Sequence, residues 1–368
     1  MIEALQILTI GIYGPIDGDE ALNIYRRLGV EAVYSDIEGI TELDVTNAKR
    51  HGLKLYAAVW TFKTQNLDFG VLGLDGERRL WAGAGCPNNP NIIKQSIRNI
   101  DAAARLGVDG IVLDGVRFPS PASGRNLFLT CFCEYCVWKA KELGCEPSKI
   151  KEAMQRTLDP TVLLNQDVER SILKDWVTLR INSITDQVSN IVETIKASNP
   201  RLEVGAALFT PSLADLVGQS YRELSAILDF IQPMIYHKGS GLACINFELA
   251  NLVSNFTQRD SEAETLEKIY KSLSYSRLEP PVDLDKLLMT GLPVQVISLE
   301  AAKGLNMVRG GKAKYIPIVL ILESDAEELK ETVEEVLKAR PGGVVYFSYY
   351  EGLDDVLPFY IPPEASRE

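Results

Sequence analysis

The stretch Val108-Asp109-Gly110-Ile111-Val112-Leu113-Asp114-Gly115-Val116-Arg117-Phe118-Pro119 runs from an apolar segment into a carboxylate, a glycine and a proline. A short run of β-branched residues and leucine between turn formers reads as a strand buried on both faces, as in parallel sheets. Asp114 then stands where the strand ends. Seven further runs have the same character: Leu5–Tyr13, Glu31–Asp36, Leu53–Trp60, Leu202–Phe209, Phe230–Tyr236, Lys314–Leu322 and Gly342–Tyr349. Helical patterns separate them, and that alternation gives βα units around a parallel sheet. Eight units predict an α/β fold, the (β/α)8 TIM barrel, where acids at strand C-termini face the site built by the βα loops.

The helices carry their own start signals. Asn89-Pro90 supplies an N-cap and a first-turn proline ahead of Ile92, Ile93, Ile97, Ile100 and Leu106, and Gly107 ends that helix. Asp159-Pro160 opens an expected long helix in which Val168, Ile172, Trp176, Ile184, Val188, Ile191 and Ile195 recur until Pro200. Ser324 with Glu327 has the spacing of a capping box. Connections of about 119–160 and 239–313 exceed simple loops and predict rim insertions after strands four and six. The expected organisation is one barrel domain over 1–361 followed by a tail, 362–368.

The chain has 368 residues, 46% of them apolar and 24% charged, so disorder and coiled coil are poor readings. A formal charge of −12 disfavours nucleic acid and anionic lipid as partners. No basic residue precedes Arg26, and the longest apolar run, Tyr315 to Leu322, is too short for a bilayer; the expectation is a soluble cytoplasmic protein.

Cys131-x-Cys133-x-x-Cys136 follows strand four, and Cys86 follows strand three directly before Pro87. Both loops open on one rim. Three thiols so close in sequence suit a turn wrapped around a tetrahedral zinc ion, with Cys86 or Cys145 as the fourth ligand. Buried free cysteines and an iron–sulfur cluster are the competing readings. The arrangement resembles the zinc-carrying β-galactosidases of glycoside hydrolase family 42, which place a cysteine after strand three, ahead of an Asn-x-Pro helix start, and Cys-x-Cys-x-x-Cys after strand four. The resemblance implies a structural Zn2+ bound by Cys86, Cys131, Cys133 and Cys136.

The strand-four stretch is also similar to the DGIxxDxxRFP signature of glycoside-hydrolase-like barrels, whose aspartate there corresponds to the nucleophile of α-galactosidase and α-amylase relatives. That resemblance also accommodates Trp176, Arg180 and the Gln232 to Tyr236 segment. It implies an enzyme acting on glycosidic bonds in a small glycoside or oligosaccharide. Glycoside hydrolysis needs two carboxyl groups. Asp114 is the nucleophile or base on this reading, and the second acid is sought in Glu323 after strand seven, Asp36 after strand two, or Glu351 after strand eight. Related families place an acid after strand five or six, where this chain has Phe209-Thr210-Pro211, with Asp215 beyond, and His237-Lys238. A non-hydrolytic carbohydrate-binding barrel and a zinc-dependent transferase therefore stand as rivals.

Each acid also has a structural reading. Asp114 pairs with Arg117, Asp36 is a loop acid, and Glu323 caps the following helix. Sugar sites need aromatic platforms and polar rims. Tyr13, Trp60, Tyr236 and Tyr349 fall at strand ends, with Arg117, His237 and Lys238 as further substrate contacts. Only two histidines are present, which excludes a multi-histidine metal centre, and no Gly-x-Gly-x-x-Gly or Walker loop implies a nucleotide.

Overall fold

Each of the eight apolar runs becomes a parallel strand in a computed structural model, which describes residues 8–16, 18–156, 159–164, 172–257, 261–321 and 326–349. The strands are β1 (Thr9–Tyr13), β2 (Ala32–Asp36), β3 (Lys54–Trp60), β4 (Gly110–Asp114), β5 (Glu203–Leu208), β6 (Phe230–Pro233), β7 (Lys314–Tyr315 and Ile318–Leu320) and β8 (Gly343–Phe347). Neighbours in sequence are neighbours in the sheet, and β8 pairs with β1. Between β6 and β7 the pairing runs from Phe230↔Lys314 to a bridge at Met234↔Ile318, so the curled sheet closes as a TIM-like barrel. The break inside β7 falls at Pro317, which lacks the N–H a ladder needs. Its carbonyl still accepts from Val345 N at 2.9 Å.

The ladders of β4, β5, β6 and β8 stop short of their apolar runs at the C-terminal end, whereas β1, β2 and β3 end where their runs do. Val116, Phe209, Tyr236 and Tyr349 lie past the last paired residue and belong to the rim. The helices longer than one turn are α1 (Asp19–Arg27), α2 (Glu42–Arg50), α3 (Pro90–Arg105), α4 (Glu134–Glu142), α5 (Pro147–Arg156), α6 (Ile172–Ser198), α7 (Tyr221–Ile227), α8 (Ile245–Ser254), α9 (Glu262–Leu273), α10 (Leu284–Thr290), α11 (Val296–Met307) and α12 (Ala326–Leu337). Asn89 caps α3 as its sequence requires, accepting from Asn91 N at 2.9 Å with Pro90 in the first turn. Asp159-Pro160 precedes the helical residues Thr161–Leu164, and the described part of the long helix is α6; the residues between, Val168 among them, lie outside the described residues. Ser324 lies outside the described residues.

The 119–160 connection holds α4 and α5, and the 239–313 connection holds α8 to α11. A third elaboration follows β3: a two-residue hairpin, Val71–Leu72 with Arg78–Arg79, which no alternating pattern announced. Among the described residues no helix is long and apolar enough to cross a membrane.

The barrel interior is unusually aromatic. Tyr13 Oη donates to Gln232 Oε1 at 2.8 Å, joining β1 to β6 across the barrel, so both side chains point inward. Tyr34 stacks on Tyr13 and on Tyr56, each pair at 5.0 Å between ring centres. Glycine makes room for the ladder. A Cβ at Gly110 would lie 2.5 Å from the Tyr56 ring and one at Gly11 2.7 Å from the Tyr34 ring.

Candidate active site at the barrel mouth

Strand parity decides which rim residues share the mouth. Side chains alternate across a strand, so inward Tyr13, Tyr34, Tyr56, Gly110 and Gln232 carry Asp36, Trp60 and Asp114 to the same face at the C-terminal ends of β2, β3 and β4. Tyr236 has the inward parity beyond β6. On β8, Phe347 pairs with Tyr13 and shares its face. The mouth thus gathers Tyr13, Asp36, Trp60, Asp114, Tyr236 and Phe347 from six strands.

Asp114 pairs in register with Trp60. Its Oδ1 accepts from Gly115 N at 2.7 Å. Burial pushes the carboxyl up from its ordinary value and Asp36 adds to the push, while the Gly115 amide and Arg117 pull the other way. Gly115 turns the chain with φ +62°, and a Cβ there would lie 2.9 Å from the Trp60 indole, so only glycine lets the β4 turn lie on that ring. Phe347 meets Tyr13 edge-on at 5.4 Å and stacks on Tyr236 at 6.0 Å while staying 38% exposed, which makes it the open aromatic face of the mouth.

Arg117 does not hold Asp114 by a hydrogen bond. It is buried between the Trp81 and Phe209 rings, 4.6 and 4.4 Å from their centres, and donates to Phe118 O at 3.2 Å. Burial lowers it to about 10, so it remains a cation at neutral pH, influenced by Glu248 and Asp114 together. Glu248, fully buried on α8, ties the loop after β4 to the loop after β6. It accepts from Ser120 Oγ at 2.9 Å, Ala122 N at 2.9 Å and Ala243 N at 3.0 Å. Sequence reading missed it because an acid inside an insertion helix looks like a solvated face. Burial raises its pKa, against the pull of Arg117 and its three donors.

The other sequence candidates sit as follows. His237 is buried and lowered to about 4 by desolvation and Lys238, so it is neutral near pH 7. Lys238 pairs with Glu328 of α12 at 2.6 Å. Asp36 caps the turn after β2, accepting from Glu38 N at 2.8 Å, as its loop-acid reading predicts. Tyr349 turns from the mouth and packs its ring edge-on against Tyr25 of α1 at 5.5 Å. Glu323 and Glu351 lie outside the described residues. Asp215 lines a separate cavity of about 480 Å³ on the barrel flank, with Leu163, Val177 and Tyr221 among its walls. Desolvation lifts its carboxyl to about 6, but the cavity shares no lining residue with the mouth.

Beside the mouth the four thiols of Cys86, Cys131, Cys133 and Cys136 are buried with all sulfurs within 4.8 Å of one another. Cys86 Sγ lies 3.5 Å from Cys133 Sγ and 3.4 Å from Cys136 Sγ. Zinc–thiolate bonds of about 2.3 Å at tetrahedral angles put sulfurs about 3.8 Å apart, so the set fits one ion. Cys145 stands outside it, directed at Leu143 O, so Cys86 is the fourth cysteine of the cluster. The local reason is a knuckle in which Cys133 is the N-cap of α4 and Cys136 lies in its first turn. Leu72 N donates to Cys131 Sγ and Asn88 Nδ2 to Cys136 Sγ, both at 3.3 Å, contacts that stabilise thiolates. Hydrogen bonds from the other three thiols hold Cys133 well below the usual thiol range, whereas burial drives Cys86 up. Four protein sulfurs fill a tetrahedral shell, which counts against a catalytic zinc with an open position and so against the transferase reading.

Arg180 of α6 anchors this region to the rim. Its guanidinium, 1% exposed, donates to the carbonyls of Thr130 at 2.8 Å, Pro119 at 3.4 Å, and of Leu216 and Phe128, and it lies 4.0 Å from the Trp176 ring centre. Trp176 Nε1 donates to the same Thr130 carbonyl at 3.1 Å.

No protein-family model matches the chain, and no curated protein matches it in sequence. Solved structures do share its fold. The β-galactosidase of the psychrophilic Marinomonas ef1 superposes with a TM-score of 0.57 at 12% identity, over 93% of this chain and 54% of that one. The β-galactosidase of Bacillus circulans sp. alkalophilus gives 0.55 at 11%, over 93% and 50%. A catalytic mutant of Gan42B, a GH42 β-galactosidase from G. stearothermophilus, gives 0.53 at 11%, over 94% and 52%. This chain spans about half the length of these proteins.

Proposed function

We propose that the protein is a glycoside hydrolase whose chemistry takes place at the barrel mouth. The observation that carries this is Asp114, a desolvated carboxyl at the end of β4, facing inward among Trp60, Tyr13, Tyr236 and Phe347. Aromatic faces take the CH-rich side of a sugar while carboxylates take hydroxyls or attack the anomeric carbon. The β-galactosidases with the same barrel support the reading.

In this account Asp114 is the nucleophile or base, and the proton donor is Glu323, next in sequence after the Lys314–Leu322 run, or Asp36. Arg117 acts at a distance, its charge drawing Asp114 toward ionisation while the Trp81 and Phe209 rings fix its place. His237, being neutral, and Lys238 contact substrate hydroxyls from the β6 side. The platform expected of Tyr349 passes to Phe347. Cys86, Cys131, Cys133 and Cys136 would hold a structural zinc, which braces the loops after β3 and β4 and adds no chemistry. A second reading, sugar binding without hydrolysis, draws on the residues past the ends of β5 and β6, Phe209-Thr210-Pro211 and His237-Lys238, where related barrels carry an acid.

The test is turnover of a panel of 4-nitrophenyl glycosides by the wild type and Asp114→Asn. Removal of the carboxylate is expected to cost at least about 10²–10⁴-fold in kcat, as for loss of a group that moves a proton or attacks. Equal turnover would overturn the assignment. Calorimetric sugar binding with no turnover in the wild type would favour the second reading.

A further inference from the structure

Beside the mouth, between the turn after β2 and helix α3, lies a cavity of about 350 Å³ that the proposed chemistry does not use. It adjoins the mouth at two points. Glu38 of its wall donates its amide to Asp36 Oδ1 at 2.8 Å, and Lys63 of its wall donates its amide to Trp60 O at 3.2 Å. These two charged lining residues pair with each other. Four amide side chains, Gln65, Asn66, Gln95 and Asn99, line the rest together with the half-buried Phe69 ring. Gln95 and Asn99 stand one turn apart on α3, so they face the cavity side by side. Among the described residues no hydrogen bond engages the side chains of Gln65, Gln95 or Asn99. The loop of Cys86 fixes the wall from behind: Thr64 N donates to Gly83 O at 2.9 Å, Gly85 N to Phe62 O at 3.1 Å, and Cys86 N to Phe69 O at 2.8 Å. The cavity is therefore preformed.

A lining whose charges are already paired offers an ionic ligand nothing to neutralise, and four amides make it too polar for an apolar one. A primary amide donates through its nitrogen and accepts through its oxygen, which matches hydroxyl groups that do both. An aromatic ring beside such amides takes the CH face of a pyranose. We infer that this cavity is a second sugar subsite, holding a neutral, unreacted unit of an oligosaccharide whose reacting unit lies in the mouth. This rests on the carbohydrate reading of the mouth and deepens it. The substrate is then a neutral oligosaccharide that runs over the β2–β3 side of the rim, and its remote unit supplies binding energy through Gln65, Gln95 and Asn99.

The test varies the length of the sugar. Galacto-, cello-, manno-, malto- and chito-oligosaccharides, from monomer to pentamer, are titrated calorimetrically into the full chain, with oligogalacturonides as the anionic comparison. In at least one neutral series affinity is expected to rise about tenfold or more from the shortest to the longest member, the worth of one or two hydrogen bonds. Asn99→Ala and Gln95→Ala should each cut that gain by about threefold or more. Asn99 is exposed and Gln95 half-buried on α3, and alanine is the strongest helix former, so both variants keep the fold. No gain with length in any neutral series, a gain that both variants retain, or tighter binding of the oligogalacturonides than of every neutral series would each overturn the inference. Turnover of aryl monoglycosides that depends on Asp114, without a gain from length, would end the subsite and keep the hydrolase reading. A gain lost in the variants, without turnover of any glycoside, would keep the subsite and end hydrolysis.

Discussion

The cysteine knuckle and the barrel mouth share one rim, yet they satisfy their chemistry in opposite ways. Four sulfurs and two N–H donors close the knuckle around a space the size of one ion. At the mouth, among the described residues, two inward carboxylates accept one backbone hydrogen bond each. A region saturated by its own chain is built for stability, whereas one with unmet electrostatics has traded stability for a ligand. Loss of any donor should therefore weaken the knuckle, and relief of charge should strengthen the mouth.

The largest expected effect is at the knuckle. The purified wild type is expected to carry one equivalent of zinc by atomic emission, and Cys133→Ser should abolish it and lower stability by about 4 kcal/mol or more, in the range of a lost metal site. A variant that keeps one equivalent of zinc would break the comparison. Next is the brace behind the mouth. Glu248→Ala strands three buried donors and should cost about 2–4 kcal/mol in urea unfolding. An unchanged midpoint would mean that the loops after β4 and β6 are held by something else.

The mouth itself should respond in the other direction. Burial raises the Asp114 pKa, so the native state binds its proton more tightly than the unfolded chain does. Stability tied to this group is full below the unfolded value and declines as pH rises through the raised one. Asp114→Asn should therefore unfold later than the wild type near pH 7, by roughly 1 kcal/mol, while losing activity. Thermal melts at pH 4 and pH 7 check the sign, and a variant less stable at both would show that the mouth is saturated after all. With Glu323 as the proton donor, the smallest effect belongs to Asp36→Asn. Removing a charge that pushes Asp114 up should move the acidic limb of the kcat/KM profile to lower pH. An unmoved limb would uncouple the two acids.

The barrel could be read from sequence because each strand is a compact apolar run with its own turn signals, and α3 because Asn89-Pro90 is a local start signal. The knuckle was legible for a similar reason, three of its ligands lying within six residues, although the choice between Cys86 and Cys145 needed three-dimensional distance. The mouth was legible only in part. Asp114, Asp36, Trp60, Tyr13 and Tyr236 share the inward parity, but the apolar run of strand eight extends two residues past its ladder, so sequence points to Tyr349 where Phe347 stands. Arg117 looked like an ion-pair partner because sequence gives no sign that Trp81 and Phe209 sandwich it. Glu248 is 128 residues from the serine it binds, and no local pattern encodes such a contact.

Arg180 has a practical consequence for anyone diversifying this scaffold. It serves four carbonyls from segments that include both the turn before Cys131 and the loop after β5, using donors fixed in one plane. Lysine offers one compact ammonium and cannot span them. A combinatorial library at this rim can vary the exposed side chains of Leu242, Met289 and Phe347, but position 180 tolerates no conservative exchange. Recoding it would scatter the loops whose variation was the purpose of the library.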